Sequence, residues 1–156
     1  MESVVNASRE FQVFAKPAGA LCNLDCRYCY YLQKERLYPQ TKSPRMSDDL
    51  LENYIVQQIR IAPETEINFS WHGGEPTILG LDFFRRIVEL QRKHLPEGRR
   101  IVNSIQTNGV LLTDDWCRFF AAENAGYVSR LVLIDGGAIA NVVRHAAVNA
   151  LRSHGV

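Results

Sequence analysis

Three cysteines within one short stretch, Cys22-Asn-Leu-Asp-Cys26-Arg-Tyr-Cys29, constrain this chain more than any other feature. Thiols so close in sequence make poor structural disulfides but good ligands to one compact metal centre. Three thiolates on one loop can wrap three corners of a cubane iron–sulfur cluster. Fully ligated clusters use four cysteines, so a three-cysteine site leaves one iron open, and an open iron is a place for chemistry. Two plainer readings stand beside this one. Zinc would want four nitrogen or sulfur ligands; His72 or Cys117 would have to complete the set, and neither lies at a usual zinc spacing. The other is a chance grouping of buried cysteines.

Composition removes several function classes. Formal net charge is +1 over 156 residues, so nothing draws the chain to nucleic acid or an anionic membrane. The opening MESVVNASRE lacks the charged start and apolar run of a signal peptide, and no apolar stretch is long enough for a membrane span. A cytoplasmic setting is therefore expected, where thiols stay reduced. The length suits one domain.

The pattern along the chain alternates strand and helix. Phe11 to Lys16 reads as a strand ended by Pro17 and Gly19. Ser47 reads as an N-cap, with Asp48 and Asp49 in the first turn. Leu51, Tyr54, Ile55, Gln58 and Ile59 then form a helical stripe that stops before Pro63. Glu66 to Trp71 alternates as a strand, and Leu81 to Leu95 repeats as a helix. Ile101 to Gln106 is a third strand, Thr113 caps a helix through Glu123, and Val128 to Ile134 is a fourth strand. Ala138 to Ser153 reads as helical. Such alternation predicts βαβ units and an α/β fold with about four parallel strands and flanking helices.

In parallel α/β folds the chemistry sits at the carboxyl ends of strands. The cysteine loop follows the first predicted strand. Trp71-His72-Gly73-Gly74-Glu75-Pro76 follows the second, its glycines giving room for backbone to come close to a ligand and Glu75 offering an acceptor for an ammonium group. Gln106-Thr107-Asn108-Gly109 ends the third, placing Gln106 and Asn108 at the mouth of a barrel. An ordinary turn explains Gly73 to Pro76 or Asn108–Gly109 singly; their order after a three-cysteine loop favours a binding site. Cys117, on the third helix, reads as a core residue.

C-x3-C-x2-C with an aromatic before the last cysteine resembles the signature of the radical S-adenosylmethionine superfamily. The resemblance implies a 4Fe–4S cluster on Cys22, Cys26 and Cys29, with S-adenosylmethionine chelated to the open iron and cleaved to a 5′-deoxyadenosyl radical. It places Tyr28 against the adenine and Gly73, Gly74 and Glu75 at the methionine amino group. CNLDCRYCYYL, FSWHGGEPTILGLDFF and SIQTNGVLLTDDWCRFF further resemble the anaerobic sulfatase-maturating enzymes. That likeness implies a partial (β/α) barrel, a sulfatase polypeptide as substrate, oxidation of its cysteine or serine to formylglycine, and an electron-donor protein as partner. Related peptide-modifying maturases share much of this stretch.

The resemblance runs from Phe11 to Asn124. Beyond it, Leu133-Ile134-Asp135-Gly136-Gly137 replaces the family's Ser-x-Asp-Gly-Pro element, Leu133 standing at the serine that helps hold S-adenosylmethionine. The expectation is that residues 1–156 are the N-terminal portion of a radical S-adenosylmethionine core with a divergent tail over 125–156. The family's auxiliary-cluster domain and its acidic catalytic base are expected to be absent. A truncated, inactive relative, or a module that only binds a cluster, is the alternative. An open four-stranded sheet is further expected to leave one face apolar and uncovered.

Overall fold

The computed structural model of the chain describes residues 11–27, 29–31, 45–123, 128–133 and 153. Tyr28 lies outside these residues, as do Ile134 to Gly137 and all of the helix expected after Ala138 except Ser153.

Ser47 starts the first helix as its sequence suggests. Its Oγ accepts a hydrogen bond from Leu50 N at 3.3 Å, and Asp48 and Asp49 sit in the first turn of α1 (Asp48–Ile61). The helix buries Leu51, Ile55, Gln58 and Ile59. The second helix, α2 (Leu81–His94), buries Phe83, Phe84, Ile87, Val88, Leu90 and Gln91. The third, α3 (Asp114–Glu123), receives its first bond at Thr113, whose carbonyl accepts from Cys117 N at 3.1 Å. Among the described residues no helix is long and apolar enough to cross a membrane.

Four strands, β1 (Phe14–Ala15), β2 (Glu66–Trp71), β3 (Arg100–Thr107) and β4 (Val128–Leu133), form one sheet in that order. All three pairings are parallel, with Ile67 beside Ile101, Trp71 beside Ile105, and Thr107 beside Leu133. The sheet thus continues past Asn124 in register. β1 is shorter than the Phe11–Lys16 run. At its carboxyl end Pro17 has no N–H to extend the ladder; before it, Gln12 meets the sheet by its side chain, its Nε2 donating to Ser70 Oγ at 3.1 Å.

Ile67, Phe69, Trp71, Ile101 and Ile105 face the helices and form the core with Leu51, Ile55, Ile87 and Leu90. Tyr54 of α1 sets its ring edge-on to Phe69 and Trp71, at 5.7 Å from each. Asn103 on the same face is polar but satisfied. It exchanges two hydrogen bonds with Gln91 at 2.8 and 2.9 Å and accepts a third from Trp71 Nε1 at 2.9 Å. Two amides paired this way hold α2 to β3 in one register.

The opposite face departs from expectation. On β2 and β3 it carries Asn68, Ser70, Ser104 and Gln106, with Val102 as the apolar exception. The Ser70 and Ser104 hydroxyls bond to each other across the strands at 2.9 Å. Among the described residues no helix covers this face; its hydroxyls and amides suit a polar interior, and its exposed hydrocarbon lies at the edge strand, where Phe14 beside Ser70 is 49% exposed.

Two ionic devices tie the loops to the helices. Arg99, just before β3, donates to the carbonyls of Ile59, Ala62 and Glu64 at 2.7, 2.8 and 2.5 Å. It thereby covers the orphan end of α1 with a cation. Glu52 of α1 accepts from Lys93 Nζ at 2.8 Å and meets His94 Nε2 at 2.6 Å, on α2. These hydrogen bonds, from Lys93 first and then His94, pull the Glu52 carboxyl from its ordinary 4.5 down to about 2.

Arg99→Ala strips three carbonyls of a charged donor and is expected to cost about 2–3 kcal/mol in urea unfolding, with Arg99→Lys recovering only part. The Glu52 network is present above the unfolded carboxyl's pKa and is lost as pH falls through the folded one. A Glu52→Gln chain should therefore melt slightly below wild type at neutral pH, and the difference should close between pH 4.5 and about 2. The effect is small because Glu52 remains 32% exposed.

Candidate functional site

The cysteine loop is built on backbone. After β1 the chain turns twice, Gly19 N donating to Lys16 O at 3.0 Å and Leu21 N to Ala18 O at 3.1 Å. The next residues then run alongside the segment that follows β2. His72 N donates to Ala15 O at 2.8 Å, Gly74 N to Gly19 O at 2.9 Å, and Glu75 N to Leu21 O at 2.8 Å. Gly73 lies at φ +112°, and a Cβ there would stand 2.5 Å from Gly19 O. A Cβ on Gly74 would stand 2.1 Å from Leu21 O and 2.5 Å from Ala20 O. The close approach these glycines permit here is that of the loop leading into Cys22, backbone against backbone, a partner that sequence reasoning did not supply.

Cys22, Cys26 and Cys29 follow as free, half-buried thiols. Leu24 N donates to Cys22 Sγ and Tyr31 N to Cys29 Sγ, each at 3.4 Å, while Cys29 N closes a turn on Cys26 O at 2.8 Å. Burial pushes the Cys22 thiol up, with further contributions from the Glu75 carboxylate and the neighbouring cysteines, against the Leu24 amide which lowers it. Amides already aimed at sulfur suit thiolates that ligate a metal. Among the described residues no three His, Cys, Asp or Glu side chains converge closely enough to hold a single ion. Cys117 is no candidate for a fourth ligand: it is 1% exposed, within the core under α3.

Glu75 is the centre of the arrangement. It is 1% exposed. Its Oε1 accepts from Thr77 N at 2.9 Å, Thr77 Oγ1 at 2.5 Å and Thr107 Oγ1 at 2.6 Å, and its Oε2 accepts from Asn108 N at 2.7 Å. The bond from Thr77 N caps a short 3-10 helix, Pro76–Leu79, which the sequence showed only as a turn. One carboxylate thus joins the end of β2 to the end of β3. Asn108 carries the link onward to the cysteine loop, its Nδ2 donating to Asn23 Oδ1 at 2.8 Å and facing Cys22 Sγ at 3.9 Å. Gln106 is half-buried on the polar face beside this junction.

Sequence reasoning missed Thr77, Thr107, Asn23 and Tyr31, and weighed His72 only as a fourth zinc ligand. The Tyr31 hydroxyl and His72 Nδ1 lie 3.4 Å apart. The Phe14 ring packs edge-on to His72 at 4.8 Å, and Lys16 Nζ sits 4.9 Å over the Tyr31 ring. Burial, then the Lys16 charge, push the His72 imidazolium to a lower pKa than an ordinary histidine. Position offered one signal for Thr107, since it stands between Gln106 and Asn108. Thr77 bonds Glu75 from two residues away, while Asn23 and Tyr31 are paired across segments distant in sequence.

Glu75→Gln replaces one acceptor oxygen with a donor against donors. It is expected to cost about 2–3 kcal/mol in denaturant unfolding. Gly74→Ala forces the loop carbonyls away and should cost about 3 kcal/mol. Its distinguishing readout is loss of metal uptake on reconstitution with the far-ultraviolet circular dichroism retained.

Comparison with known proteins agrees with this geometry. The Radical SAM superfamily model matches residues 17–133, so the match runs past Asn124 to the end of β4. The chain is 47% identical over 117 residues to a serine-type anaerobic sulfatase-maturating enzyme of Bacteroides thetaiotaomicron, covering 75% of this chain and 28% of that enzyme. It is 39% identical over 106 residues to a cysteine-type enzyme of the same name from Clostridium perfringens, covering 68% of this chain and 28% of that one. The structure of native anSMEcpe with bound AdoMet and Cp18Cys peptide superposes with a TM-score of 0.73 at 29% identity, covering 92% of this chain and 40% of that chain. The chain therefore spans well under half the length of the proteins it matches. On the family match, the parallel sheet and the cysteine loop at its carboxyl edge, the chain belongs to the radical SAM superfamily.

Proposed function

We propose that this chain carries the cluster- and S-adenosylmethionine-binding part of a sulfatase-maturating radical enzyme. In this reading Cys22, Cys26 and Cys29 hold a 4Fe–4S cluster with one open iron. Tyr28, Gly73, Gly74, Glu75, Gln106 and Asn108 border the S-adenosylmethionine site. The target is a cysteine or serine of a sulfatase polypeptide, oxidised to formylglycine, and a separate protein supplies electrons. When bound, the cluster and S-adenosylmethionine together supply the 5′-deoxyadenosyl radical that takes a hydrogen atom from the β-carbon of the target residue.

One observation carries the reading. The loop that bears the three thiols is laddered by backbone to the segment that bears Glu75. The chain's own residues then divide the work. Gly73 and Gly74 let the two segments touch. Glu75 and Asn108 lock the ends of β2 and β3 beneath the loop. The amides of Leu24 and Tyr31 support two of the three sulfurs. The polar face of Ser70, Ser104 and Gln106 gives a hydrogen-bonding wall to the space in front. No described residue is assigned the base that takes the proton from the target side chain.

The test is anaerobic reconstitution. Iron should approach about four atoms per chain, as a cubane requires, and Cys22→Ala, Cys26→Ala and Cys29→Ala should each abolish it. Adding S-adenosylmethionine to the reduced cluster should change its electron paramagnetic spectrum. An unchanged spectrum would mean that protein ligands saturate the cluster, and the reading would be wrong.

A further inference from the structure

We infer that Asn108 is a positioning residue that sets the reduction potential of the cluster through its side-chain amide, held against Cys22 Sγ. The inference rests on the cluster reading above and adds to it a determinant of how readily the cluster takes an electron.

The orientation of the Asn108 amide follows from its partners. Val110 N donates to Asn108 Oδ1 at 3.0 Å, and only the carbonyl oxygen can accept that bond. Nδ2 must then face the cysteine loop. It has two hydrogens. One meets Asn23 Oδ1 at 2.8 Å, and Cys22 Sγ stands 3.9 Å from the same nitrogen, within reach of a weak N–H···S contact. The residue itself is 7% exposed, and its backbone N–H is fixed on Glu75 Oε2 at 2.7 Å. Neither rotation nor flipping of the amide is available without breaking a bond. Among the described hydrogen bonds to the three sulfurs, this is the contact that arrives from outside the loop, 86 residues away in sequence.

The chemistry gives the sign. Hydrogen bonds to ligating sulfur, local charge and solvent exposure together set the potential of an iron–sulfur cluster. An N–H pointed at a thiolate favours the more negative, reduced cluster. Glu75 works the other way, because its buried negative charge stands close enough to Cys22 to be felt there. Asn108 lies between the two groups, its backbone N–H on the carboxylate and its side-chain N–H on the sulfur side. It therefore relieves on Cys22 part of the field that Glu75 imposes. Asn108→Ala removes the side-chain donor together with the acceptor of Val110 N, and leaves the backbone bond to Glu75.

The experiment is a redox titration of the reconstituted full chain, read by the electron paramagnetic signal of the reduced cluster. In Asn108→Ala the ratio of reduced to oxidised cluster at a fixed applied potential should fall by up to about tenfold, which is ~59 mV for a one-electron couple. Asn108→Asp, which puts a carboxylate where the donor was, should fall further. Iron content should match wild type in both. If both variants hold the cluster and titrate with wild type, the inference is overturned while the cluster reading stands. If wild type itself takes up no cluster, the underlying reading fails first. Should either variant fail to assemble, wild type decides: with nitrogen-15 in its asparagine side chains, pulsed electron paramagnetic spectra of the reduced cluster should show a weak nitrogen coupling, and its absence overturns the inference.

Discussion

A carboxylate with almost no exposure to water must find its solvation inside the protein, and Glu75 finds it in four donors drawn from three residues. Burying a charge without such partners costs several kcal/mol. The partners are Thr77, in the 3-10 helix after β2, and Thr107 and Asn108, at the end of β3. The carboxylate is thus satisfied only when both strand ends are in register and the 3-10 helix has formed. Among the described residues its side chain accepts nothing from the cysteine loop, yet its backbone N–H is the last rung of the ladder to that loop. One residue therefore joins the two strand ends by its side chain and the loop by its backbone.

The sheet's two faces explain why that edge is where chemistry can gather. Helices cover one face, and the apolar alternation of β2 and β3 is spent there. The other face carries Asn68, Ser70, Ser104 and Gln106, and its hydroxyls bond to one another. Such a face gains little from packing and much from polar ligand or water. Parallel strands add direction, since each ends at the same side and hands its following loop to that side. The cysteine loop, the glycine pair and Asn108 are consecutive instances of that geometry.

Much of the scaffold could be read from sequence because its determinants are local. Ser47 with Asp48 and Asp49 announces α1, and Pro63 ends it; Ile67, Phe69 and Trp71 announce β2 by period alone. The motifs were legible for a similar reason: three cysteines on one loop and two glycines before a glutamate are contiguous. What was not legible depends on pairing at a distance. The polar outer face was half legible, since the period that points Ile67, Phe69 and Trp71 inward points Asn68 and Ser70 outward; its continuation at Ser104 and Gln106 appears only when β3 is set beside β2. The partners of Glu75 are hidden for the same reason, because nothing near Glu75 in sequence names Thr107. The glycine pair is the sharpest case. Its sequence says that something comes close, and only the fold says that the visitor is the carbonyl of Leu21.

That last point separates two tasks in the site. The cysteine loop is held by main chain, through hydrogen bonds from His72, Gly74 and Glu75 to Ala15, Gly19 and Leu21. Between the cysteines, Asn23 adds one side-chain tie, accepting from Asn108 Nδ2 at 2.8 Å, while Asp25 is exposed. Main-chain anchoring also limits how the site can vary. Gly73 and Gly74 cannot acquire a Cβ without displacing the segment that leads into Cys22. The economy of the motif follows: glycines mark where the loop is gripped, cysteines mark what it grips, and the buried carboxylate beside them keeps the two strand ends from drifting apart.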